Sequence, residues 1–474
     1  MKKVLRAYKK TVSIVNETAI WMYENLGSDR VGFLMESNEK ESGKYTFMGV
    51  DPQALVQSQK DGLVITENNG NVTKLKGNPL VLLKEYFSSF EVHSDETQDE
   101  FNGGLVGSLG YDFIRYTENL PDDNEDEIGI ETIQLMLALK FIAIDHMAET
   151  VTAVVLDEDN EEGKKRALAE AEKLIDEART PENENKKSCE IKNYHDGVII
   201  KKSDTLEQYS EKVNKIKEYI KEGHIFQTVL SQRWTIQTKQ TGFDLYKQLR
   251  VLNPSPYLYY YNFGKFEIIG SSPEMIVKQT GNNVYTCPIA GTRKRGKTKE
   301  EDEALERELL SDEKEKAEHV MLVDLARNDC GRVSQIGSVK VTEFMRVQRY
   351  SHVMHIVSLV EGKKHGSCHP LDMVSSFLPA GTLSGAPKIR AMEIIDELEK
   401  TKRSTYGGAI GYISFNGNFD SCITIRTGVF KDGKAYIQAG GGIVYDSIPE
   451  NEYQESINKA SAVLRAIEEA GDIV

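Results

Sequence analysis

Hydrophobic and polar positions alternate along much of the chain in short runs typical of β-strands. Such runs include GKYTFMGV, ALVQSQ and GLVITE near the N-terminus, and YLYYYNF, EIIGSS and AYIQAGGGIV further on, with hairpin-length turns between them. Antiparallel strands can be joined by short turns, whereas parallel strands need long crossovers. The pattern therefore predicts antiparallel sheets rather than a doubly wound parallel sheet. The run FNGGLVGSLGYD, residues 101–112, predicts a strand, a glycine turn and a second strand.

Helical periodicity marks the remaining regular segments. The main helices are predicted over residues 206–221, 312–327, 387–400 and 451–468, with Pro387 just inside the start of the third. A charged helix begins near residue 158 and gives way to a polar stretch around Pro181. These boundaries predict an N-terminal region over residues 1–160, a charged helix and linker over 161–202, and a main region over 203–468.

Composition and charge narrow the possible classes of protein. The 474 residues are 39% hydrophobic and 28% charged, which is typical of a globular protein built as two units or one elaborate unit. The net charge of −15 argues against binding to nucleic acid or anionic membranes. The five cysteines show no CxxC spacing, which argues against disulfides or zinc and favours a reducing, cytoplasmic location. Neither a signal peptide nor an apolar membrane span is predicted.

Two of the predicted helices carry carboxylates one turn apart. Glu315 and Glu318 lie in EKAEHVMLVDLARND, and Glu452 and Glu455 lie in PENEYQESINKA. Residues at i and i+3 share a helix face, so each helix can offer two oxygen ligands to one cation. Four such carboxylates suit Mg²⁺ and leave positions open for water and an anionic substrate. Taken singly, each pair is equally compatible with a solvated helix face.

Glycine- and threonine-rich turns interrupt the strands of the main region. They are SSPE (271–274), PIAGTR (288–293), PAGTLSGAPK (379–388), STYGGAIGY (404–412) and QAGGGIVYDS (438–447). Glycine lets the backbone approach a ligand closely, Thr292 and Thr382 add hydroxyls, and Arg426 adds a fork suited to a carboxylate. Each turn alone could be an ordinary hairpin. None of them fits a phosphate loop or a dinucleotide fingerprint.

From about Leu206 to Arg465 the chain resembles the chorismate-utilising enzymes. The motifs SSPEM, PIAGT, EHVMLVDLARND, VMHIVS, SGAPK, YGGAIGY and EYQESINKA occur in the order of that family. The resemblance implies an α+β fold in which two large antiparallel β-sheets pack together with helices outside. It also implies that the N-terminal region packs against the main region and supplies an effector site.

The same resemblance implies a reaction and its catalytic residues. In the aminating members, ammonia attacks chorismate at ring carbon 2 while the hydroxyl at carbon 4 leaves, and the intermediate then loses pyruvate. Glu274 in SSPEM is in the position of the general acid, which needs a raised pKa, and Thr382 is counted with the catalytic residues. His355 in VMHIVS has the position of an active-site histidine for positioning or pyruvate elimination, although a packed core histidine is equally compatible.

The family motifs also imply contacts to the metal and the substrate. Glu318 and Glu455 match metal ligands, and Glu315 and Glu452 are neighbours that bind through water. Substrate contacts are implied for Gly291, Thr292, Tyr406, Arg426, Gly440, Gly441, Gly442 and Lys459. The alternative for Lys459 is a surface ion pair with Glu455.

Two positions distinguish branches of the family. Relatives that use water as nucleophile have a lysine base where this chain has Gln227, and ammonia needs no deprotonation. Relatives that make aminodeoxychorismate have PIKGT with a nucleophilic lysine, where this chain has Ala290. Both positions favour the anthranilate-forming branch. The alternatives are aminodeoxychorismate synthesis, a non-catalytic amino-acid-binding regulatory subunit and, more remotely, an unrelated Mg²⁺-dependent phosphotransferase.

A partner and an effector complete the expectations. No cysteine lies on a glycine-bounded strand-to-helix elbow, so the resemblance implies a separate glutamine amidotransferase subunit that delivers ammonia. The string LMES, with Glu36 and Ser37, matches the motif that binds tryptophan in regulated relatives. The string NPSPYL matches the second half of that effector site through Pro256, Tyr257 and Leu258. Met35 and Leu258 are near-isosteric replacements that an apolar site tolerates.

Overall fold

The computed structural model describes residues 2–14, 17–37, 45–94, 101–180, 197–350 and 353–468. The helices are α1 (Ala19–Leu26), α2 (Pro79–Ser88), α3 (Glu161–Arg179), α4 (Leu206–Lys221), α5 (Gly242–Leu252), α6 (Lys299–Ser311), α7 (Glu313–Gly331), α8 (Pro370–Phe377), α9 (Lys388–Leu398) and α10 (Pro449–Glu468), with short 3₁₀ helices at Tyr111–Tyr116 and Gly381–Leu383. No helix in these ranges is both long and apolar enough to cross a membrane.

The strands of the first half are β1 (Lys3–Ser13), β2 (Gly32–Glu36), β3 (Tyr45–Val50), β4 (Ala54–Gln59), β5 (Gly62–Glu67), β6 (Val72–Lys76), β7 (Phe90–His93), β8 (Gly104–Leu109), β9 (Ile133–Ala138), β10 (Lys140–Asp145), β11 (Thr150–Glu158), β12 (Val198–Lys202) and β13 (Gln227–Gln237). Those of the second half are β14 (Tyr257–Asn262), β15 (Glu267–Ser272), β16 (Met275–Thr280), β17 (Asn283–Thr286), β18 (Ile289–Lys294), β19 (Lys340–Arg349), β20 (Val353–Lys363), β21 (Gly385–Ala386), β22 (Ala409–Ser414), β23 (Phe419–Ile423), β24 (Thr427–Lys431) and β25 (Lys434–Ile443).

These strands form two large sheets. One has the order β12-β13-β25-β24-β15-β14-β2-β3-β10-β11-β1-β7, with β21 beside β13, and the other has the order β18-β20-β17-β16-β23-β22-β8-β9-β4-β5-β6, with β19 beside β20. Neighbouring strands are antiparallel, apart from the parallel pair β1 and β7. The predicted antiparallel architecture is confirmed.

Each sheet contains one block of strands from the N-terminal region and one block from the later part of the chain, and the two blocks meet at a single ladder. Strand β2 pairs with β14, so that Glu36 lies opposite Leu258, and β8 pairs with β22. The N-terminal region is thus joined to the main region by two continuous hydrogen-bonded ladders. The predicted effector segments LMES and NPSPYL become neighbours through the first of these ladders.

The main hydrophobic core lies between the two sheets. Phe47, Phe101, Phe141 and Tyr412 meet there in tilted and edge-on contacts, with ring centroids of Phe101 and Phe141 4.6 Å apart. A second core lies on the outer face of the larger sheet, under α1, α3, α5 and α10. Sheets packed face to face with helices outside are the predicted α+β architecture.

Several predicted helices are confirmed. Helix α4 has the predicted bounds because a capping box begins it: the Thr205 side chain accepts from the Gln208 N–H, and the Gln208 side chain accepts in return. The charged helix is α3, which buries Ala167, Ala171 and Leu174 along one face. The predicted linker around Pro181 falls on residues 181–196, outside the described ranges.

Two local predictions were wrong. Residues 101–112 contain one strand, β8, followed by a 3₁₀ helix, instead of two strands around a glycine turn. Gly104 and Gly107 lie inside this strand, where a Cβ would collide with the carbonyl oxygens of Ile413 and Gln134 on the neighbouring strands. Pro387 is the N-cap of α9 and precedes its first helical residue.

Candidate active site

Two of the points at which the chain crosses between the sheets are adjacent, and each of these two crossings carries a charged side chain. Glu274 lies between β15 and β16, and Arg426 lies between β23 and β24. The crossings are hydrogen-bonded to each other, because Ser271 N–H donates to Arg426 O at 3.2 Å and Ile423 N–H donates to Glu274 O at 2.9 Å. Arg426 has a φ of 50°, an unfavourable conformation for a non-glycine residue that is common at functional sites.

Glu274 has the properties of a general acid. Burial raises the pKa of its carboxyl group to about 7, and the hydrogen bond from Thr382 and the charges of Lys459 and Arg426 oppose this rise. The Thr382 hydroxyl donates to Glu274 Oε1 at 3.0 Å. Both side chains line a small cavity of about 40 Å³. A substantial fraction of this carboxyl group is therefore protonated at neutral pH and can donate its proton.

His355 is held as a neutral imidazole with one nitrogen free to accept a proton. Its Nδ1 lies 2.8 Å from Gly291 O and 3.1 Å from the Thr292 hydroxyl. Because a carbonyl oxygen only accepts, Nδ1 carries the hydrogen and Nε2 is the acceptor. Burial lowers the pKa of His355, the bond to Gly291 opposes this, and Arg426 lowers it further. This arrangement can supply a base for proton abstraction.

The glycines of β25 make room for side chains from both of its faces. A Cβ on Gly442 would collide with the Gln227 amide, and a Cβ on Gly441 would lie 3.3 Å from Glu452 Oε2. The Tyr406 hydroxyl is hydrogen-bonded to the backbone of Gly440, and its pKa is raised, chiefly by burial. Gln227 is 5% exposed, and its Oε1 has no hydrogen-bond partner among the described residues.

Helices α7 and α10 present their predicted carboxylates to the same region. Glu318 is accessible to solvent yet has protein on several sides; this partial desolvation raises its pKa, and the charges of Glu315 and Glu455 raise it further. Burial also raises the pKa of Glu452, a hydrogen bond with Ser447 opposes this, and Glu455 raises it. The repulsion between carboxylates on two helices is what a shared cation would relieve.

Part of this carboxylate cluster is engaged by cations of the protein. Lys459 Nζ lies 2.7 Å from Glu455 Oε1 and donates to Gly440 O at 3.2 Å. Arg293 donates to Glu315 Oε1 at 3.3 Å. In the described ranges, no group of three or more acidic, histidine or cysteine side chains is close enough to hold a metal. The all-oxygen donor set fits Mg²⁺, which is commonly held by one or two carboxylates with water and substrate.

The sequence-predicted reaction-site residues form one connected region. Glu274 is coupled electrostatically to Arg426 and Lys459, and Arg426 is coupled to His355. A Cβ on Gly291 would lie 3.2 Å from Glu315 Oε2, which connects the PIAGT turn to α7. The structure thus brings together segments spread over more than two hundred residues of sequence.

A separate cavity of about 240 Å³ contains all five predicted effector residues. Glu36, Ser37, Pro256, Tyr257 and Leu258 form part of its lining, with aromatic rings from both sheets. Such mixed aromatic and polar linings are typical of small-ligand sites. Pro273 and Met275, the residues on either side of Glu274, line the same cavity.

The Glu36 carboxylate already has partners on the other face of its strand. Arg250 Nε lies 2.9 Å from Glu36 Oε1, and the Tyr246 hydroxyl donates to the same oxygen at 2.6 Å. An ammonium group bound by Glu36 would have to share this carboxylate with Arg250 and Tyr246. Asp420, bonded by the Tyr257 hydroxyl at 2.9 Å, is a second acidic group of the cavity.

The sequence analysis missed a buried ion pair behind the site, Glu399 with Arg403. Their shortest N–O distance is 2.6 Å. In the sequence both resemble surface charges that follow a helix, although Arg403 immediately precedes the STYGG turn. Ser447, which bonds Glu452, was missed as well, although it ends the quoted QAGGGIVYDS turn.

The chain is similar to known proteins over most of its length. The sequence profile of a family described as chorismate binding enzyme matches residues 32–465. The chain is 48% identical over 471 residues to anthranilate synthase component 1 of Acetivibrio thermocellus, covering 96% of this chain and 94% of that protein.

Two solved structures are similar in fold. The crystal structure of anthranilate synthase component I from Streptococcus pneumoniae TIGR4 has a TM-score of 0.80 at 39% identity, over 90% of this chain and 94% of that chain. The menaquinone-specific isochorismate synthase MenF from Escherichia coli has a TM-score of 0.73 at 16% identity, over 98% of this chain and 94% of that chain. The second likeness concerns the fold alone.

Proposed function

The chain belongs to the family of chorismate-binding enzymes, and on that premise we propose that it converts chorismate and ammonia to anthranilate and pyruvate. The observation that carries the proposal is Glu274, a carboxyl group with a pKa of about 7 that receives a hydrogen bond from Thr382 beside Arg426. The similarity to proteins named anthranilate synthase component 1 supports the choice of product.

In the first step, the Glu274 carboxyl group protonates the hydroxyl that leaves ring carbon 4 while ammonia bonds to carbon 2. Water departs, and the new ammonium group later returns a proton to the carboxylate. Gln227 supports amination because its amide cannot deprotonate water. Arg426 and Tyr406, with the backbone of the β25 glycines, would bind the enolpyruvyl carboxylate.

In the second step, His355 Nε2 removes the proton from carbon 2 while the bond between carbon 3 and the enolpyruvyl oxygen breaks. The leaving group is protonated to pyruvate, and the ring becomes aromatic. The neutral tautomer fixed by Gly291 O is the form that this step needs. Ala290, beside Gly291, offers no nucleophile for the covalent chemistry of the aminodeoxychorismate branch.

We propose Mg²⁺ as the cofactor, with Glu318 and Glu455 as direct ligands and Glu315 and Glu452 binding through water. When bound, Mg²⁺ would neutralise and orient the ring carboxylate of the substrate. Burial raises the pKa values of Glu318 and Glu452, and the charge of Glu455 raises both further; this partly desolvated cluster of like charges supports the assignment.

Two further parts of the proposal concern partners. A glutamine amidotransferase subunit would supply ammonia, and the similarity to relatives named as a component 1 supports a second component. Tryptophan would occupy the effector cavity and inhibit the enzyme. The pairing of β2 with β14, which joins LMES to NPSPYL in one cavity, supports this role.

The decisive experiment is incubation of the purified chain with chorismate, Mg²⁺ and an ammonium salt, followed by identification of products by mass spectrometry. We expect anthranilate and pyruvate in equal amounts, and Glu274→Gln should lose at least 100-fold in turnover, about the contribution of one general acid. Release of aminodeoxychorismate or isochorismate, or no turnover, would overturn the proposal.

A further inference from the structure

Arg403 is a buried arginine whose donors all serve the protein interior. It is 3% exposed, and its partner Glu399 is 5% exposed. Arg403 Nε and Nη2 donate to the two oxygens of Glu399 at 2.8 and 2.6 Å. Nη1 donates to Leu383 O at 2.6 Å, and Nη2 also donates to Val229 O at 2.8 Å. One guanidinium group therefore connects three separate segments.

Two of the connected segments carry a residue of the reaction site, and a third such residue, Tyr406, packs against Arg403 itself. Leu383 directly follows Thr382, which donates to Glu274. Val229 lies two residues after Gln227 on β13. The guanidinium carbon lies 5.6 Å from the centre of the Tyr406 ring, and Tyr406 N–H donates to Arg403 O at 3.1 Å.

The partner Glu399 is itself fixed by β13. Its Oε1 accepts from both the N–H and the hydroxyl of Ser231 at 2.8 Å. The planar fork of arginine can bond a carboxylate and two carbonyls at once, whereas the ammonium group of lysine acts as a compact point charge. The buried charges are paired and hydrogen-bonded, as buried ions must be.

We propose that Arg403, fixed by Glu399, is a positioning residue for the reaction: it holds Thr382 against Glu274 and sets the places of Gln227 and Tyr406. This inference rests on the proposed function, since it requires Glu274 to act as an acid on chorismate. Arg403 acts through its neighbours, because its hydrogen bonds run to the protein.

The test is Arg403→Lys, which keeps the charge for Glu399 and loses the simultaneous bonds to Leu383 and Val229. We expect kcat to fall by about 10- to 100-fold, because small displacements of positioned groups are costly. The alkaline limb of the kcat/KM profile should also move to higher pH. The bond from Thr382 lowers the pKa of Glu274, so its weakening keeps the acid protonated to higher pH.

Two further variants distinguish a positioning role of Arg403 from a purely stabilising role. Thr382→Val should move the alkaline limb in the same direction, and the double variant with Arg403→Lys should move it no further. Arg115→Lys is the matched control: Arg115 pairs with Asp112 and with Asp396 of α9, away from Thr382. It should lower Tm without moving the limb.

The outcomes distinguish the inference from the function on which it rests. If the wild type makes anthranilate but Arg403→Lys leaves the limb in place, or shifts it additively with Thr382→Val, the positioning role is wrong. If Arg403→Lys fails to fold, Glu399→Gln, which removes the charge that fixes Arg403, provides the same pH comparison. A wild type without anthranilate formation would instead refute the proposed function.

Discussion

At the residue scale, the proposed role of Glu274 requires its carboxyl group to stay protonated while the folded protein surrounds it. Folding raises its pKa to about 7, so the folded state holds the proton more tightly than the unfolded chain does. Its favourable contribution to folding is complete below the ordinary pKa of a glutamate and is lost as the pH rises through about 7. Above that pH, an ionised carboxylate is buried at a cost.

A change of this residue to an uncharged isostere should therefore be stabilising in alkaline conditions. We expect Glu274→Gln to raise Tm by about 1–3 °C relative to the wild type at pH 8.5, and the difference should vanish below about pH 4.5. Thermal melts across pH measure this directly. Glu450→Gln, at the exposed start of α10, is the control. A Glu274→Gln effect independent of pH would contradict the buried-acid interpretation.

Ser37 gives a second residue-scale prediction. It lines the cavity proposed to bind tryptophan, so Ser37→Phe should fill part of that space and exclude an aromatic ligand. We expect tryptophan to inhibit the wild type, and the variant to lose inhibition and calorimetric binding while its turnover stays within about twofold, because the cavity is separate from the reacting groups. Ser13→Phe, at the exposed end of β1, is the control. Indifference of the wild type to millimolar tryptophan would sink the idea.

Some residues of the candidate site can be identified from the sequence, whereas others become evident only from contacts in the folded structure. Glu274, Thr382 and His355 lie in recognisable motifs, and the structure places them in one region. The hydrogen bond between Thr382 and Glu274, and the pair Glu399 with Arg403, depend on contacts between distant segments. Charges that follow a helix are usually solvated, and no local pattern distinguishes these two from such residues.

At the scale of elements, α7 and α10 act together through their charged faces. Partial desolvation raises the pKa of Glu318, and the charges of Glu315 on α7 and Glu455 on α10 raise it further. A cation that binds only the folded state should stabilise it by mass action.

The prediction for these helices is that Glu318→Gln and the wild type change their order of thermal stability when Mg²⁺ is added. In EDTA at pH 8, Glu318→Gln should melt at or slightly above the wild type, because the raised pKa of Glu318 makes its ionised form unfavourable there. Saturating Mg²⁺, at about 100 times its Kd, should stabilise the wild type by roughly 2.7 kcal/mol and the variant far less. Asp324→Asn on the exposed face of α7 is the control. Equal Mg²⁺ responses in all three proteins would contradict the metal assignment.

Element boundaries were predictable where local chemistry determines them. Helix α4 begins at its capping box, which can be read from Thr205 and Gln208 alone. The prediction for residues 101–112 was wrong because Gly104 and Gly107 allow neighbouring strands to approach closely instead of forming a turn. Whether a glycine makes a turn or admits another backbone depends on strands that are distant in sequence.

The whole molecule contributes one further expectation, about its source of nitrogen. Among the described cysteines, Cys330 and Cys422 are buried, and Cys287 and Cys368 lie partly exposed. Cys422 lies within β23, Cys330 near the end of α7 and Cys287 between two strands. Cys368 lies in the loop between β20 and α8, away from the end of the strand, so none of these four occupies the sharp strand-to-helix turn of a glutaminase nucleophile.

We therefore expect the isolated chain to use ammonium salts and not glutamine. Turnover should rise with the concentration of free ammonia, and so with pH until Glu274 loses its proton. Anthranilate formation with glutamine as the sole nitrogen donor is the measurement, and addition of an amidotransferase subunit is the positive control. Glutamine-dependent turnover by the pure chain would refute this prediction.

The class of the fold was predictable from the sequence, but the pairing of strands from the two regions was not. Alternating strands and short turns favour antiparallel sheets, and the family motifs imply two of them. The insertion of β2 between β3 and β14, and of β8 between β9 and β22, follows from no local pattern. It depends on matched strand faces contributed by residues more than two hundred positions apart.

The turn that crosses from β15 to β16 imposes a constraint on how this enzyme can evolve. Pro273 and Met275 line the cavity proposed to bind the effector, and Glu274 between them is the proposed acid of the reaction site. A substitution at either flanking position is therefore exposed to two selection pressures at once, for turnover and for cavity shape. A substitution at Ser37 is exposed mainly to selection for cavity shape. Lineages that relax control should accumulate changes on β2 first and leave the crossing turn intact.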